Sequence, residues 1–223
     1  MTNATTQKLP VECASVDALL GGGLEPGTIT LFYGEAGTGK TNICLQLARN
    51  ATLRELGKVA YVDTEGVSME RLEQICGKNT QKVLKNLLFY HPTSLADQER
   101  MIASLEKIKT PSLIIVDSLN MYYRLQLKGG SDEASRSITA MLSTLLKISR
   151  KDSVPVVITG QVYTDDETVR PFGGRIMEHI VKTIVRIERD GPGRRRCVLL
   201  KHRSQPEAAA AGFVITNSGI DPA

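Results

Sequence analysis

An α/β fold built on a mostly parallel, doubly wound sheet, with antiparallel edge strands towards the C-terminal end, is the class this sequence predicts. Three observations point there. Apolar, strand-like runs alternate with segments of helical periodicity along most of the chain. Two of the runs, Leu113-Ile114-Ile115-Val116 and Val156-Val157-Ile158, are apolar without alternation, as expected of parallel strands covered on both faces. Beyond residue 183 the pattern changes to short strands separated by Gly191-Pro192-Gly193 and followed by Asn217-Ser218-Gly219, the punctuation of hairpins.

Taken in order, residues 28–33 read as the first strand and the apolar spacing of Ile43, Leu45, Leu47, Ala48 and Ala51 as the helix after it. Residues 59–63 form a second strand and 87–90 a third, with helices expected over 69–75 and 96–108. The apolar run at 113–116 follows, then a helix over 134–148 and the strand that starts at Val156. The closing strands are expected at 183–189, 195–200 and 212–216, with Ala208 to Ala211 in a loop. No internal repeat is visible. A doubly wound sheet takes its ligands beyond the carboxyl ends of its strands, which is where the candidate chemistry is expected.

The composition, with 41% hydrophobic and 23% charged among 223 residues, suits one α/β domain spanning 1–223. Cys13, Cys44, Cys76 and Cys197 are scattered without a Cys-x-x-Cys pair, so neither a zinc site nor a disulfide framework is suggested. No apolar run approaches the ~20 residues that span a bilayer, and the first residues lack the apolar core of a signal peptide. A soluble protein of the reducing cytoplasm, with no membrane partner, is expected. A net charge of +4 permits an anionic partner without demanding one.

The strongest local signal lies between the first strand and its helix. Gly34-Glu35-Ala36-Gly37-Thr38-Gly39-Lys40-Thr41 fits the phosphate-binding loop, in which backbone N–H groups and a helix N-terminus converge on an anion. Lys40 is placed to reach the β- and γ-phosphates and Thr41 to ligate Mg²⁺. Asp117, ending an apolar strand, supplies a second anchor for the metal. Hydrolysis also needs a group to polarise water, and Glu65, in Asp63-Thr64-Glu65-Gly66 at the same sheet edge, is the candidate. The competing reading of Glu65 is a helix-capping acid before Ser68. Gln161 closes the strand from Val156, where its amide could touch the γ-phosphate and report it to the following loop; a plain polar strand end is the alternative. Lys182, Arg186, Arg189, Arg194, Arg195, Arg196, Lys201 and Arg203 crowd the C-terminal hairpin, a stripe suited to backbone phosphates or to protecting an edge strand by charge.

These motifs add up to a resemblance. Leu19-Leu20-Gly21-Gly22-Gly23-Leu24-Glu25-Pro26-Gly27, the loop from Gly34 to Thr41, Tyr61-Val62-Asp63-Thr64-Glu65-Gly66, Asp117-Ser118 and Gly160-Gln161-Val162 resemble, in order and spacing, the core of the RecA/RadA recombinase family over almost the whole chain. The tail, Lys201-His202-Arg203-Ser204-Gln205-Pro206-Glu207 with Phe213-Val214-Ile215-Thr216-Asn217-Ser218-Gly219-Ile220, is similar to that of the family's short archaeal paralogues. The resemblance implies a RecA-like P-loop ATPase core with ATP and Mg²⁺ as cofactors. Gly34, Glu35, Ala36, Gly37, Thr38, Gly39, Lys40, Thr41 and Asn42 would surround the phosphates, with Arg71 near adenine. Thr41 and Asp117 would hold the metal. Glu65, Gln161 and Lys40 would serve catalysis. Two DNA-facing loops would correspond to residues 122–130, with Tyr122, Tyr123, Arg124 and Lys128, and to 162–175, with Arg170 and Arg175. Aromatic and basic residues on such loops suit single strands. Lys201, His202 and Arg203 are the tail residues favoured for DNA, His202 being readable also as a core or interface histidine.

Two departures from the family narrow the expected activity. The short stretch before Gly34 leaves no room for the helical N-terminal DNA-binding domain of RadA or its filament-forming linker. Gly160 stands where RadA-like proteins carry a polar residue before the glutamine. The expectation is an ATP- and DNA-binding accessory protein, a mediator of repair and homologous recombination, with weak ATPase activity and no strand exchange of its own. It would regulate branched-DNA processing. The resemblance implies the main recombinase RadA and a Holliday-junction resolvase as partners beside DNA, single-stranded or branched; a homo-oligomer is a further possibility whose size the sequence does not give, and a place at the nucleoid is expected. The rival readings are a filament-forming, DNA-dependent ATPase and a KaiC-type signalling ATPase.

Overall fold

The computed structural model describes residues 7–123, 132–165, 168–171, 177 and 179–223. In chain order the elements are α1 (Ala14–Leu19), β1 (Ile29–Gly34), α2 (Lys40–Leu53), β2 (Lys58–Asp63), α3 (Met69–Cys76), α4 (Thr80–Leu84), β3 (Leu87–Tyr90), α5 (Leu95–Ser104), β4 (Pro111–Asp117), α6 (Asp132–Asp152), β5 (Val156–Gly160), β6 (Val162–Asp165), β7 (Thr168–Pro171), β8 (Thr183–Arg189), β9 (Arg194–Lys201), β10 (Ala210–Thr216) and β11 (Gly219–Pro222). Among the described residues the main sheet has nine strands in the order β11-β10-β9-β8-β1-β5-β4-β2-β3, and β6 pairs with β7 separately.

The six strands from β8 to β3 run parallel, and β9, β10 and β11 alternate antiparallel. This is the expected α/β class with one refinement. β8 was expected as a hairpin strand, yet it is parallel to β1 on one side and antiparallel to β9 on the other. Its core pattern, buried on both faces over Thr183, Ile184 and Val185, follows from that central place. Two further differences concern the tail. Ala210 and Ala211, expected in a loop, open β10 opposite Val198 and Cys197, and β11 was not anticipated. Small side chains give little periodicity, so pairing with β9 decides their conformation.

Alternation along the central strands divides the core in two. Phe32, Tyr61 and Ile115 join α2 and α3 on one face, while Leu31, Tyr33, Ile114 and Val116 meet α5 and α6 on the other. Helix α2 is covered so fully that its polar residues need protein partners. Gln46 Nε2 donates to Val11 O at 2.9 Å, and Gln46 Oε1 accepts from Ile220 N at 2.7 Å. Asn50 Nδ2 donates to the same Val11 O at 2.8 Å. The helix that leaves the phosphate loop thereby fastens segments near both ends of the chain.

Candidate nucleotide-binding site

β1 ends at Gly34, and α2 begins at Lys40 behind Gly39, whose φ is 101°. Gly37 also has a positive φ, 76°, a region that costs residues with a Cβ about 1–2 kcal/mol. A Cβ on Gly34 would collide with Ile187 O of β8, so glycine is what lets the two strands close there. No side chain caps the N-terminus of α2, and its first N–H groups stay available to an anion.

Lys40 is 5% exposed, and its ammonium donates to Gly34 O at 2.9 Å and Glu35 O at 2.8 Å. Burial pulls its pKa down, and the negative charges of Glu65 and Asp117 oppose that pull. Asp117, 1% exposed at the end of β4, accepts from Tyr61 Oη at 2.9 Å and from the Thr159 and Thr41 hydroxyls. Burial pushes its pKa up, and the three hydroxyl donors hold it back. The carboxylate thus ties together α2, β2, β4 and β5.

Thr41 and Asp117, both expected at the metal, are neighbours, the Thr41 hydroxyl helping to hold the Asp117 pKa down. Their hydroxyl and carboxylate oxygens are the hard donors Mg²⁺ prefers. Among the described residues no cluster of three or more His, Cys, Asp or Glu could cage a metal unaided. Thr41 and Asp117 would hold a Mg²⁺ here only with help from other oxygen ligands, and the ion would offset charge on a bound phosphate.

The remaining catalytic candidates also meet. Gln161 Nε2 donates to Glu65 Oε1 at 2.9 Å, across 96 positions of sequence. Each partner has its own support. The Asp63 carboxylate accepts from the backbone N–H groups of Glu65, Gly66 and Val67 at 3.1, 2.9 and 2.7 Å, shaping the turn that presents Glu65. Asn120, fully buried, donates to Gln161 O and accepts from Gln161 N, both at 3.2 Å. Ser68, not Glu65, caps α3, accepting from Arg71 N at 3.2 Å. Sequence reasoning singled out neither Asn120 nor the turn-forming role of Asp63, and Tyr61 and Thr159 passed as strand residues. A polar residue two or three places after a strand-ending Asp was the only available hint of Asn120.

Arg71 meets Asn42, its Nε donating to Asn42 Oδ1 at 2.7 Å. Its terminal nitrogens continue to Thr216 O at 2.6 Å and Asn217 O at 3.1 Å, so the guanidinium joins α3 and α2 to the turn between β10 and β11.

The profile of the Rad51 family matches residues 4–223, nearly the whole length. The chain belongs to the Rad51 family. Among proteins similar to this Rad51-family chain are those named DNA repair and recombination protein RadB from Methanococcoides burtonii, 41% identical over 96% of this chain and 97% of the relative, and from Archaeoglobus fulgidus, 40% identical over 96% and 98%. The relative of the same name from Halobacterium salinarum is 36% identical over 96% and 95%. A crystal structure described as that of the RadB recombinase superposes with a TM-score of 0.83 at 35% identity, covering 96% of this chain and 99% of the other.

Against that Rad51-family framework, the residues expected at DNA divide. Arg124, Lys128 and Arg175 lie outside the described residues, as does the side chain of Arg170 on β7. Lys201, His202 and Arg203 are described, and they sit together at the end of β9. Lys201 Nζ donates to Val181 O at 2.9 Å; Arg203 Nε pairs with Glu25 at 3.2 Å; His202 Nδ1 accepts from Ser204 N at 3.1 Å. Burial lowers the His202 pKa, opposed by Glu25, so the fold disfavours a charge on the ring.

Their position corrects the expectation that all candidate chemistry lies beyond the carboxyl ends of the parallel strands. β9 runs antiparallel, and Lys201 pairs with Ile184 near the start of β8. The trio therefore lies at the amino-terminal edge of the parallel strands, about 20 Å of extended strand from Arg195. The opposite end of β9, where Arg195 faces Arg189, reaches the phosphate loop.

Proposed function

We propose that this chain is an ATP- and DNA-binding accessory protein of DNA repair and homologous recombination in the cytoplasm, acting as a mediator with weak ATPase activity and without strand exchange of its own. One observation carries the nucleotide half of the reading: Glu65 and Gln161 hydrogen-bond to one another, and the Glu65 charge acts on Lys40 of a phosphate loop furnished also with Thr41 and Asp117. Lys40 and the α2 N-terminus bind the triphosphate; Thr41 and Asp117 hold Mg²⁺, which neutralises charge on the phosphates. Glu65 orients the attacking water.

The same contact couples the two groups: the Gln161 amide holds one Glu65 oxygen and must turn from it to touch a γ-phosphate. The triphosphate then acts chiefly as a conformational ligand, read by Gln161 and passed to β6, which begins at the next residue. DNA, single-stranded or branched, is held by Lys201, His202, Arg203 and the basic loop residues through phosphate contacts. A RecA-type recombinase, a junction-cleaving resolvase and further copies of this chain complete the proposed partners. The family relatives' names and the tail residues favour this reading over a signalling ATPase.

The test is DNA affinity measured against salt, with and without Mg-ATP. Log affinity should fall linearly with log salt, with a different affinity when ATP is present. Absent or salt-independent binding would eliminate the phosphate-contact reading, and long nucleoprotein filaments with DNA-stimulated hydrolysis would replace the mediator by a recombinase.

A further inference from the structure

Two arginines of the β8–β9 hairpin reach the phosphate loop from far along the chain. Arg189 Nη2 donates to Ala36 O at 3.1 Å, and Arg195 donates to Gly37 O through both Nε and Nη2, at 3.3 and 3.1 Å. Arg195 Nη1 also donates to Arg194 O at 2.8 Å, which fixes the plane of the guanidinium.

Strand pairing makes the arrangement more telling. Arg189 and Arg195 stand directly opposite one another in the β8–β9 register, and like charges so placed destabilise a sheet. Among the described residues neither forms a salt bridge, and the nearby Glu188 is already paired with Arg186 at 2.6 Å. Consecutive carbonyls of the phosphate loop are what the two guanidiniums share. Arg189 lines a cleft of about 370 Å³ between Gly34, Glu35 and Thr38 of the loop and residues 186–189 of β8, and the Arg195 contacts to Gly37 O are exposed, so neither guanidinium fills a packed core.

Turning the loop's N–H groups inward to an anion turns carbonyls outward. Those of Ala36 and Gly37 are exposed, so the guanidiniums take the place of water there and tie the loop to the β8–β9 hairpin. Lys40 serves Gly34 O and Glu35 O, and it must leave them to reach a phosphate. The arginines serve the next two carbonyls and need not move. We propose that Arg189 and Arg195 are positioning residues for the nucleoside triphosphate: they brace Ala36 and Gly37 so that the loop keeps its anion-binding shape when Lys40 departs. The inference deepens the ATP-binding reading and rests on it for its consequence, though not for the brace itself.

The experiment compares the full wild-type chain with R189A/R195A and R189K/R195K. Hydrogen exchange of the 35–39 amides is followed without nucleotide, and affinity for a fluorescent ATP analogue is measured with Mg²⁺. In the alanine pair, exchange in the loop should quicken by about tenfold or more while amides of β1 and β8 keep their protection, and affinity should weaken by about tenfold. The lysine pair keeps the charge but lacks the planar fork, and should recover less than half of that loss. Unchanged loop exchange in the alanine pair overturns the brace, whatever the nucleotide result. Full recovery by lysine overturns positioning in favour of charge alone. A wild-type chain that ignores the ATP analogue sinks the nucleotide reading, and the exchange data still decide the brace.

Discussion

The two ends of β9 show how differently one protein can use basic residues. At its start, Arg195 turns inward to the phosphate loop and serves backbone carbonyls. At its finish, Arg203 stands 56% exposed beside Glu25. The nucleotide site, on the first side, is a web of buried groups in which Asp117 alone touches Tyr61, Thr159 and Thr41. The Lys201–Arg203 edge is a shallow set of separate contacts. Groups coupled in a low-dielectric interior fail together, whereas exposed charges act as nearly independent increments of field. Substitutions should therefore be severe at one edge and graded at the other, with little crosstalk across the sheet.

Lys40→Ala is the largest expected break in that comparison. It should cost ATP affinity about 100-fold or more by titration calorimetry, because a charge-assisted phosphate contact is lost, and leave DNA binding without ATP unchanged. Joint loss of both activities would mean that the two edges are one site. Gly34→Ala comes next, since its methyl has no space against Ile187 O. Forcing β1 from β8 should lower the thermal midpoint by roughly 5–10 °C, as expected for about 2–3 kcal/mol in a chain of this size. A stable, ATP-competent variant would show that the strand contact yields more readily than the geometry suggests.

At the other edge, Arg203→Ala should weaken DNA binding only severalfold, reduce the salt slope by about 1 and leave ATP affinity intact. Loss of ATP affinity in that variant would contradict the separation. The smallest effect concerns His202. Its pKa in the folded chain is below 6.5, so as pH falls through 6.5 the unfolded chain takes up a proton first and stability declines. The urea midpoint should drop slightly from pH 7.5 to 5.5 in the wild type, and less so in His202→Gln. An identical slope in both would remove His202 from that balance.

Much of this contrast was legible in the sequence at the nucleotide end and little of it at the other. Parallel strands buried on both faces must be apolar throughout, so β1, β2, β4 and β5 announce themselves, and the glycines of the loop follow from its backbone conformation. Glu65 and Gln161 could be assigned to one sheet edge because each ends a strand. Their mutual hydrogen bond could not be read, and neither could the Asn120 clamp, because such contacts depend on side-chain direction and not on periodicity. Arg189, Arg195 and Arg203 look alike as residues in a basic stripe. Only the antiparallel course of β9 sends them to opposite edges, and strand direction is a property of the whole sheet.

The fastening of α2 by Gln46 bears on how the protein comes into being. Its amide is satisfied only when Val11, 35 positions before it, and Ile220, 174 positions after it, have both arrived. Contacts between such distant positions form late, since the intervening chain must first be gathered in. Helix α2 thus acquires its full support at the end of folding. Nucleotide affinity should then serve as a gauge of completed molecules, blind to partly folded chains in which the glycine-rich loop alone has formed.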